Sequence, residues 1–345
     1  MAAPRAARRV KAGSAAPPPD IARARAWVIT DGKAGDETQC LGLVETLGLR
    51  ADVRRIPGRA PFSWLAPWGP VDPRHAPGRS GGALAGPLPD LLLASGRQAV
   101  PYLRAIRRAS AGRTFTAFLK DPRTGPASAD FIWVPDYDDL RGANVLTTPT
   151  PPHRVTPARL AAARAAPDPR LAALPRPRVA VLVGGDSRHL RFSAADTARL
   201  LAELSALSEA GASLMLTVSR RTPPALRAAL AALAKDRPAF FWDGSGENPY
   251  VPMLALAEAV VVTSDSANMV GEAVSTGVAV LLFELPGTYV RHRRFFAGLQ
   301  AAGALAPFTG QLDMLHYAPI DATPEIARRL ADAYMRHQAG IALSR

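Results

Sequence analysis

The chain has 345 residues, 48% of them hydrophobic, and a formal net charge of +13 at neutral pH, which sets an expectation of about two domains with real cores. A single cysteine, Cys40, excludes an internal disulfide and a cysteine-cluster zinc site, and no apolar run reaches the roughly 20 residues of a membrane span. The charge suits polyanionic partners: nucleic acid, acidic lipid or phosphorylated substrate. Lysine stands only at 11, 33, 120 and 235, the arginines are scattered among alanines, and no basic helix or aromatic-basic motif stands out, so nucleic acid rests on charge alone and is an unlikely partner.

Residues 1–26 are rich in Ala, Arg and Pro and read as a disordered basic tail, whether a transit peptide, a mis-called start or a plain arm; no signal-peptide core precedes Trp27. Trp27 to Thr30 is a first strand. The polar turn Asp31 to Gln39 follows, with Gly32 and Gly35 allowing close backbone approach. A helix runs through Leu41, Leu43, Val44 and Leu47 and stops at Gly48; Asp52 to Ile56 is a second strand. Residues 57–89 are irregular and hold Phe62, Trp64, Leu65 and Trp68, either tucked onto the core or forming an apolar surface. Strands at Leu91 to Ala94, Thr114 to Leu119 and Phe131 to Val134 each end in a polar cluster: Ser95-Gly96-Arg97-Gln98, Lys120 to Arg123, and Pro135 to Asp139. Open α/β sheets bind ligands at such carboxyl edges. A Pro-rich stretch around His153, with a short Ala/Arg helix, marks a domain boundary.

The second half restarts with the strand Val179 to Val183 and the turn Gly184-Gly185-Asp186-Ser187-Arg188. Ser193 caps a helix with Leu200, Leu201, Leu204 and Leu207 as its apolar stripe. The strand Leu214 to Val218 closes on Ser219-Arg220-Arg221, and Pro223 and Pro224 open the next helix. A strand ending at Phe240 to Trp242 precedes the loop Asp243 to Tyr250.

The densest pattern comes next: Val260 to Val262 as a buried strand, Thr263 to Ser266 as a polar turn, a helix from Ala267 capped by Ser266 or Asp265 and ended by Gly277, then the strand Ala279 to Phe283. A parallel strand feeding a capped helix places free N–H groups and the positive dipole end at the sheet's carboxyl edge, where a phosphate binds without a metal. Glu272, in the second turn, is within reach of ribose hydroxyls; the competing reading is an ordinary β–α unit with Glu272 on a solvated face. A last helix starts at Thr323.

The expectation is α/β: two doubly wound Rossmann-like domains facing across a cleft, with a domain at 27–150, a linker at 151–178, a second domain at 179–320 and a terminal helix at 321–345. There is no G-x-G-x-x-G, H-E-x-x-H, nucleophile elbow or P-loop, and the six histidines lack metal-ligand spacing.

The runs Trp27 to Gln39, Thr150 to Val155, Gly184 to Ser187 and Thr263 to Ala273 together resemble the elongated-mitochondria family, plant mitochondrial fission factors and bacterial relatives often described as glycosyltransferases. More distantly, the second half is similar to GT-B glycosyltransferases, such as the membrane-associated N-acetylglucosaminyl transferase of peptidoglycan synthesis. The resemblance implies a GT-B fold, a nucleoside-diphosphate sugar of UDP or GDP type as donor, no further cofactor and no obligatory metal. It implies donor contacts from Gly184, Gly185, Ser187, Arg188, Ser219, Arg220, Ser264, Ser266, Ala267, Asn268, Met269 and Glu272, with Glu272 on the ribose. Asp31, Lys33, Gly35, Gln39, Gly96, Arg97 and His153 become acceptor-side candidates, His153 either lining the cleft or being a plain loop residue.

Where such enzymes carry a catalytic histidine this chain has Asp36, which is either the general base, if burial makes its carboxylate basic enough, or a helix N-cap. Arg220 and Arg221 are either phosphate ligands or surface charges. A lipid-linked or envelope-glycan acceptor and a cytoplasmic location, peripheral at an inner membrane face, complete the expectation. The rivals are a non-catalytic adaptor on the same scaffold and a nucleic-acid binder.

Overall fold

The computed structural model describes residues 21–187 and 190–343. In the first domain, β1 (Ala26–Thr30), β2 (Ala51–Arg55), β3 (Leu91–Ser95), β4 (Phe115–Leu119), β5 (Phe131–Pro135) and β6 (Val145–Thr148) form a parallel sheet in the order β2-β1-β3-β4-β5-β6. Helices α1 (Ala34–Thr46), α2 (Phe62–Leu65) and α3 (Ala99–Ala109) belong to it, and α4 (Pro157–Ala165) and α5 (Pro169–Ala172) lead out of it. In the second domain, β7 (Arg178–Val183), β8 (Ser213–Val218), β9 (Ala239–Trp242), β10 (Ala259–Thr263), β11 (Ala279–Phe283) and β12 (Ala306–Pro307) form a parallel sheet in the order β12-β11-β10-β7-β8-β9. Its helices are α6 (Ala194–Glu209), α7 (Pro224–Lys235), α8 (Tyr250–Leu256), α9 (Ala267–Val274) and α10 (Val290–Ala301); α11 (Thr323–Leu343) closes the fold.

Every residue of β1, β3, β4, β5, β8, β10 and β11 is buried. This is why these strands read as continuous apolar runs: helices cover both faces of a parallel sheet. Each buried Val or Leu contributes about 1.5–3 kcal/mol relative to exposure. The strand order reverses between β1 and β3 in one sheet and between β7 and β10 in the other. The turns Asp31 to Gly35 and Gly96-Arg97 leave the first reversal, and Gly184 to Ser187 and Ser264 to Ser266 leave the second. Ligands of open sheets bind at such points.

Several boundaries differ from expectation. Residues 1–20 of the expected tail lie outside the described residues, but Ile21 is fully buried in the core of the first domain, so ordered chain begins before Trp27. In the expected linker, Val155, Leu160 and Leu171 are core residues of the second domain, because the apolar faces of α4 and α5 pack on α8. Helix α11 returns to the first domain, where Ile326, Leu330 and Tyr334 pack with Leu43 and Phe115. Helix α9 stops at Val274, a turn before Gly277, which takes φ +79°. Helix α10 was not foreseen, although Phe295, Phe296 and Leu299 give it a buried face.

Candidate functional site

Helix α9 begins at the carboxyl end of β10. Ser266 is its N-cap, accepting from the Met269 amide at 3.4 Å. Glu272, two turns in, is buried at 8% exposure. Tyr250, the first residue of α8, donates its hydroxyl to Glu272 Oε2 at 2.5 Å. Burial pushes the Glu272 carboxyl up to about 7, partly opposed by that hydrogen bond. Burial, with Glu272 beside it, drives the Tyr250 phenol well above its usual value. Glu272 therefore does not sit on a solvated face.

The Gly184–Gly185 turn is held by a buried network. Asp265, whose side chain is fully buried, accepts from the Gly185 amide at 2.9 Å, from Thr263 Oγ1 at 2.7 Å and from Arg221 Nη2 at 2.9 Å. The Gly184 amide donates to Thr263 Oγ1 at 2.8 Å, across the strand reversal. A Cβ on Gly184 would lie 2.0 Å from Asp265 Oδ1, and one on Gly185 2.1 Å from the Arg221 carbonyl carbon, so only glycine fits either position. These amides serve Asp265 and Thr263, and no helix starts at Gly185: α6 begins at Ala194, capped by Ser193 with a reciprocal bond from Asp196. Gly184 and Gly185, expected as donor contacts, therefore belong to a turn and not to a helix N-terminus. Arg221 is likewise no loose surface charge, since it also donates to the Asp186 carbonyl at 2.9 Å.

The other donor-side candidates divide. Ser264 Oγ accepts from the Leu285 amide at 2.9 Å and bonds Thr288 Oγ1 at 2.7 Å, fastening the loop after β11. Ser219 builds its own turn, accepting from the Arg221 amide at 3.1 Å. Arg220 is exposed and lowers the Glu37 pKa through its charge, a minor cause beside the Arg55 hydrogen bond, so it faces the first domain. Ser187 donates its amide to the Leu190 carbonyl, and Arg188 lies outside the described residues. Ala267, Asn268 and Met269 form the first turn of α9.

The first domain meets α9 through α1. Gln39 donates to Asn268 Oδ1 at 2.8 Å, and a Cβ on Gly35 would lie 2.5 Å from Asn268 Nδ2. Asp36 is buried and ion-paired with Lys120, which follows β4 at φ +81°, a backbone conformation uncommon outside glycine. Asp36 is the third residue of α1 and Lys33 is the N-cap, with no side-chain cap bond, so the cap reading of Asp36 falls. The helix begins earlier than the capping rule suggests, because Lys33 takes the extended turn into it. Lys33 also donates to Asp31 Oδ2 at 2.6 Å, and Gly96, at φ +94°, makes room for that carboxylate.

Two acceptor-side candidates turn out to be structural. Arg97 donates to the carbonyls of Ser63 and Ala66, and Arg104 to that of Pro67 at 2.6 Å, so both grip the backbone of the aromatic loop. His153 is 2% exposed, its carbonyl backs onto Gly42, and its Nε2 lies 3.3 Å from Asp321. Burial holds its imidazole below the usual pKa against the pull of Asp321.

Helix α10 adds residues the sequence reading missed. Arg291 pairs with Asp138 of the first domain. Burial lowers the His292 pKa, helped by Lys120 and opposed by Asp265, which places the imidazole between the two halves. Among the described residues no group of three or more His, Cys, Asp or Glu is placed to hold a metal ion, and no helix is long and apolar enough to cross a membrane. A cavity of about 330 Å³ between β6 and α11 and one of about 540 Å³ around Ala257, Glu258 and Val278 lie at the opposite, amino-terminal sheet edges. Both are grooves away from the strand reversals, where the buried polar groups converge.

Two parallel-sheet domains, with strand reversals facing each other across α1 and α9, define the GT-B-like class of nucleotide-sugar folds. A UDP-GlcNAc 2-epimerase from Neisseria meningitidis, bound to UDP-GlcNAc, shares this architecture at a TM-score of 0.50 and 10% identity, over 93% of this chain and 100% of that one. Within this class the chain belongs to the family described as mitochondrial fission ELM1, whose profile matches residues 34–334. It is 28% identical to the Arabidopsis thaliana mitochondrial fission protein ELM1, over 89% of this chain and 90% of the relative. It is 27% identical to an uncharacterised Rickettsia prowazekii protein, over 43% of this chain and 44% of the other.

Proposed function

We propose that the chain is a glycosyltransferase using a nucleoside-diphosphate sugar, of UDP or GDP type, held by the second domain. The observation that carries this reading is the Ser266-capped N-terminus of α9 beside a buried Glu272 whose carboxylate is already aimed by Tyr250. The first turn of α9 takes the diphosphate on its amides and dipole, and Glu272 takes the ribose hydroxyls. An acceptor hydroxyl attacks the anomeric carbon, the carbon–oxygen bond to the diphosphate breaks, and the nucleoside diphosphate leaves with the electron pair. Asp36 receives the acceptor's proton. Lys120 and Arg220 add positive charge for the leaving group, so the step needs no obligatory metal.

The acceptor in this reading is lipid-linked, and the protein works from the cytoplasmic side of an anionic membrane. Trp64, Leu65 and Trp68 are 76%, 51% and 68% exposed, while Arg97 and Arg104 hold the loop's backbone inward. Arg50, Arg54, Arg55, Arg59, Arg74 and Arg79 flank that loop, against Asp52 and Asp72. Exposed indoles on a loop whose sequence neighbourhood is rich in arginine suit the boundary of an acidic bilayer.

A second reading has its own support. Asp36 is paired with Lys120, and the Gly184 and Gly185 amides are taken up inside the protein. Such a self-satisfied cleft suits a non-catalytic adaptor related to fission factors. A thermal-shift panel of nucleotides separates the two, because a ligand at 100 times its Kd stabilises by about 2.7 kcal/mol. The enzyme reading expects a shift with one nucleoside diphosphate; the adaptor reading expects none.

A further inference from the structure

We propose that Tyr250 is the positioning residue of the ribose site, fixing the Glu272 carboxylate so that the site selects nucleotides that carry ribose hydroxyls. This rests on the donor-site reading above and names the specificity of that same site.

Glu272 Oε2 accepts from the Tyr250 hydroxyl, and no hydrogen bond to Oε1 is found among the described residues. Glu272 is 8% exposed, and Oε1 is not among the buried oxygens cut off from any partner, so it is the oxygen left open to water or to a ligand. Among the described residues no cation balances the carboxylate: burial and the Tyr250 bond act on Glu272, with no arginine or lysine beside them. A ligand satisfies such a group best by donating uncharged hydroxyls, and a vicinal diol supplies two.

Tyr250 can only donate here, since burial beside Glu272 keeps its phenol protonated. Its ring packs against the core of the second domain, so the donating oxygen is held by packing as well as by chain position. Without that bond the Glu272 side chain, with three rotatable bonds, loses its fixed orientation. A diol would then have to order it on binding.

The test uses the full-length protein and calorimetric titration with UDP, GDP and their 2′,3′-dideoxy counterparts, on wild type, Tyr250→Phe and Glu272→Gln. Circular dichroism and thermal melting establish that each variant is folded. Wild type is expected to favour the better ribonucleotide over its dideoxy counterpart by at least about tenfold, the scale of a hydrogen bond to a charged group. Tyr250→Phe should bind the dideoxy nucleotide about as wild type does while discrimination falls below about threefold, and Glu272→Gln should lose it likewise. If Tyr250→Phe keeps wild-type discrimination while Glu272→Gln abolishes it, Tyr250 is not the positioning residue. Equal binding of both sugars by wild type overturns the ribose assignment but leaves a nucleotide site standing. No binding of either nucleotide removes the donor site and the inference together.

Discussion

Gln39 on α1 donates its side-chain amide to Asn268 Oδ1 on α9 across 2.8 Å, joining residues 229 positions apart. The bond spans the two domains at the place where their strand reversals face each other. Gly35, one turn earlier on α1, supports it by having no Cβ, which would stand 2.5 Å from the Asn268 amide nitrogen.

This contact should be measurable as coupling. In a double-mutant cycle of Gln39→Ala and Asn268→Ala, read by urea unfolding, the interaction energy should be about 0.5–1.5 kcal/mol, the net value of one buried hydrogen bond. Strict additivity of the two single changes would mean that the bond does not hold the halves together.

Much of the fold was legible because buried parallel strands are written locally. The runs at Trp27, Leu91 and Val260 are apolar for five residues or fewer and end in polar turns, and Ser193 and Ser266 cap the helices they precede. What was not legible depends on partners distant in sequence. Nothing near Asp36 announces Lys120, which lies 84 positions away, and nothing near Gly184 announces that its amide serves Thr263. Tyr250 looked like the end of a loop until the fold set it against Glu272. Helix α10 carried a signal in Phe295, Phe296 and Leu299, but it starts without a side-chain cap. Its Arg291 and His292 matter only once the first domain is placed opposite.

Glu272 makes stability depend on pH. Its carboxyl rises from 4.5 to about 7 in the folded state, so between those values the native protein binds more protons than the unfolded chain. The contribution is fully present below 4.5 and is lost as pH rises through about 7, amounting to on the order of 3 kcal/mol. Glu272→Gln cannot ionise, so from about pH 5 to pH 8 wild type should lose stability relative to that variant in chemical denaturation. Parallel stability curves would show that Glu272 is not held in a desolvating site.

Asp36→Asn tests the proposed base. Donor affinity should stay near wild type and turnover should fall by about a hundredfold or more, the usual scale for loss of a general base. The effect on stability should be small, because Lys120 in the ion pair is 41% exposed and such pairs contribute about 0–1 kcal/mol. Unchanged turnover in a folded variant would reject Asp36 as the base.

Liposome flotation tests the bilayer-facing loop. Binding should require acidic lipid, weaken with added salt, and drop further when Trp64 and Trp68 are both changed to Ser. Both side chains are mostly exposed, so the double variant should melt close to wild type. If wild type ignores acidic vesicles at low salt, a soluble acceptor replaces the lipid-linked one.

The most direct measurement of the donor site is calorimetric titration of UDP and GDP, without added metal, into wild type and Glu272→Ala. One of the two nucleotides should bind wild type saturably, and Glu272→Ala should bind it more weakly by about 1.5–3 kcal/mol, the value of a hydrogen bond to a charged group. Equal affinity in the two proteins, or no saturable heat with either nucleotide, would contradict the assignment of α9 and Glu272 as the place where a nucleoside diphosphate is held.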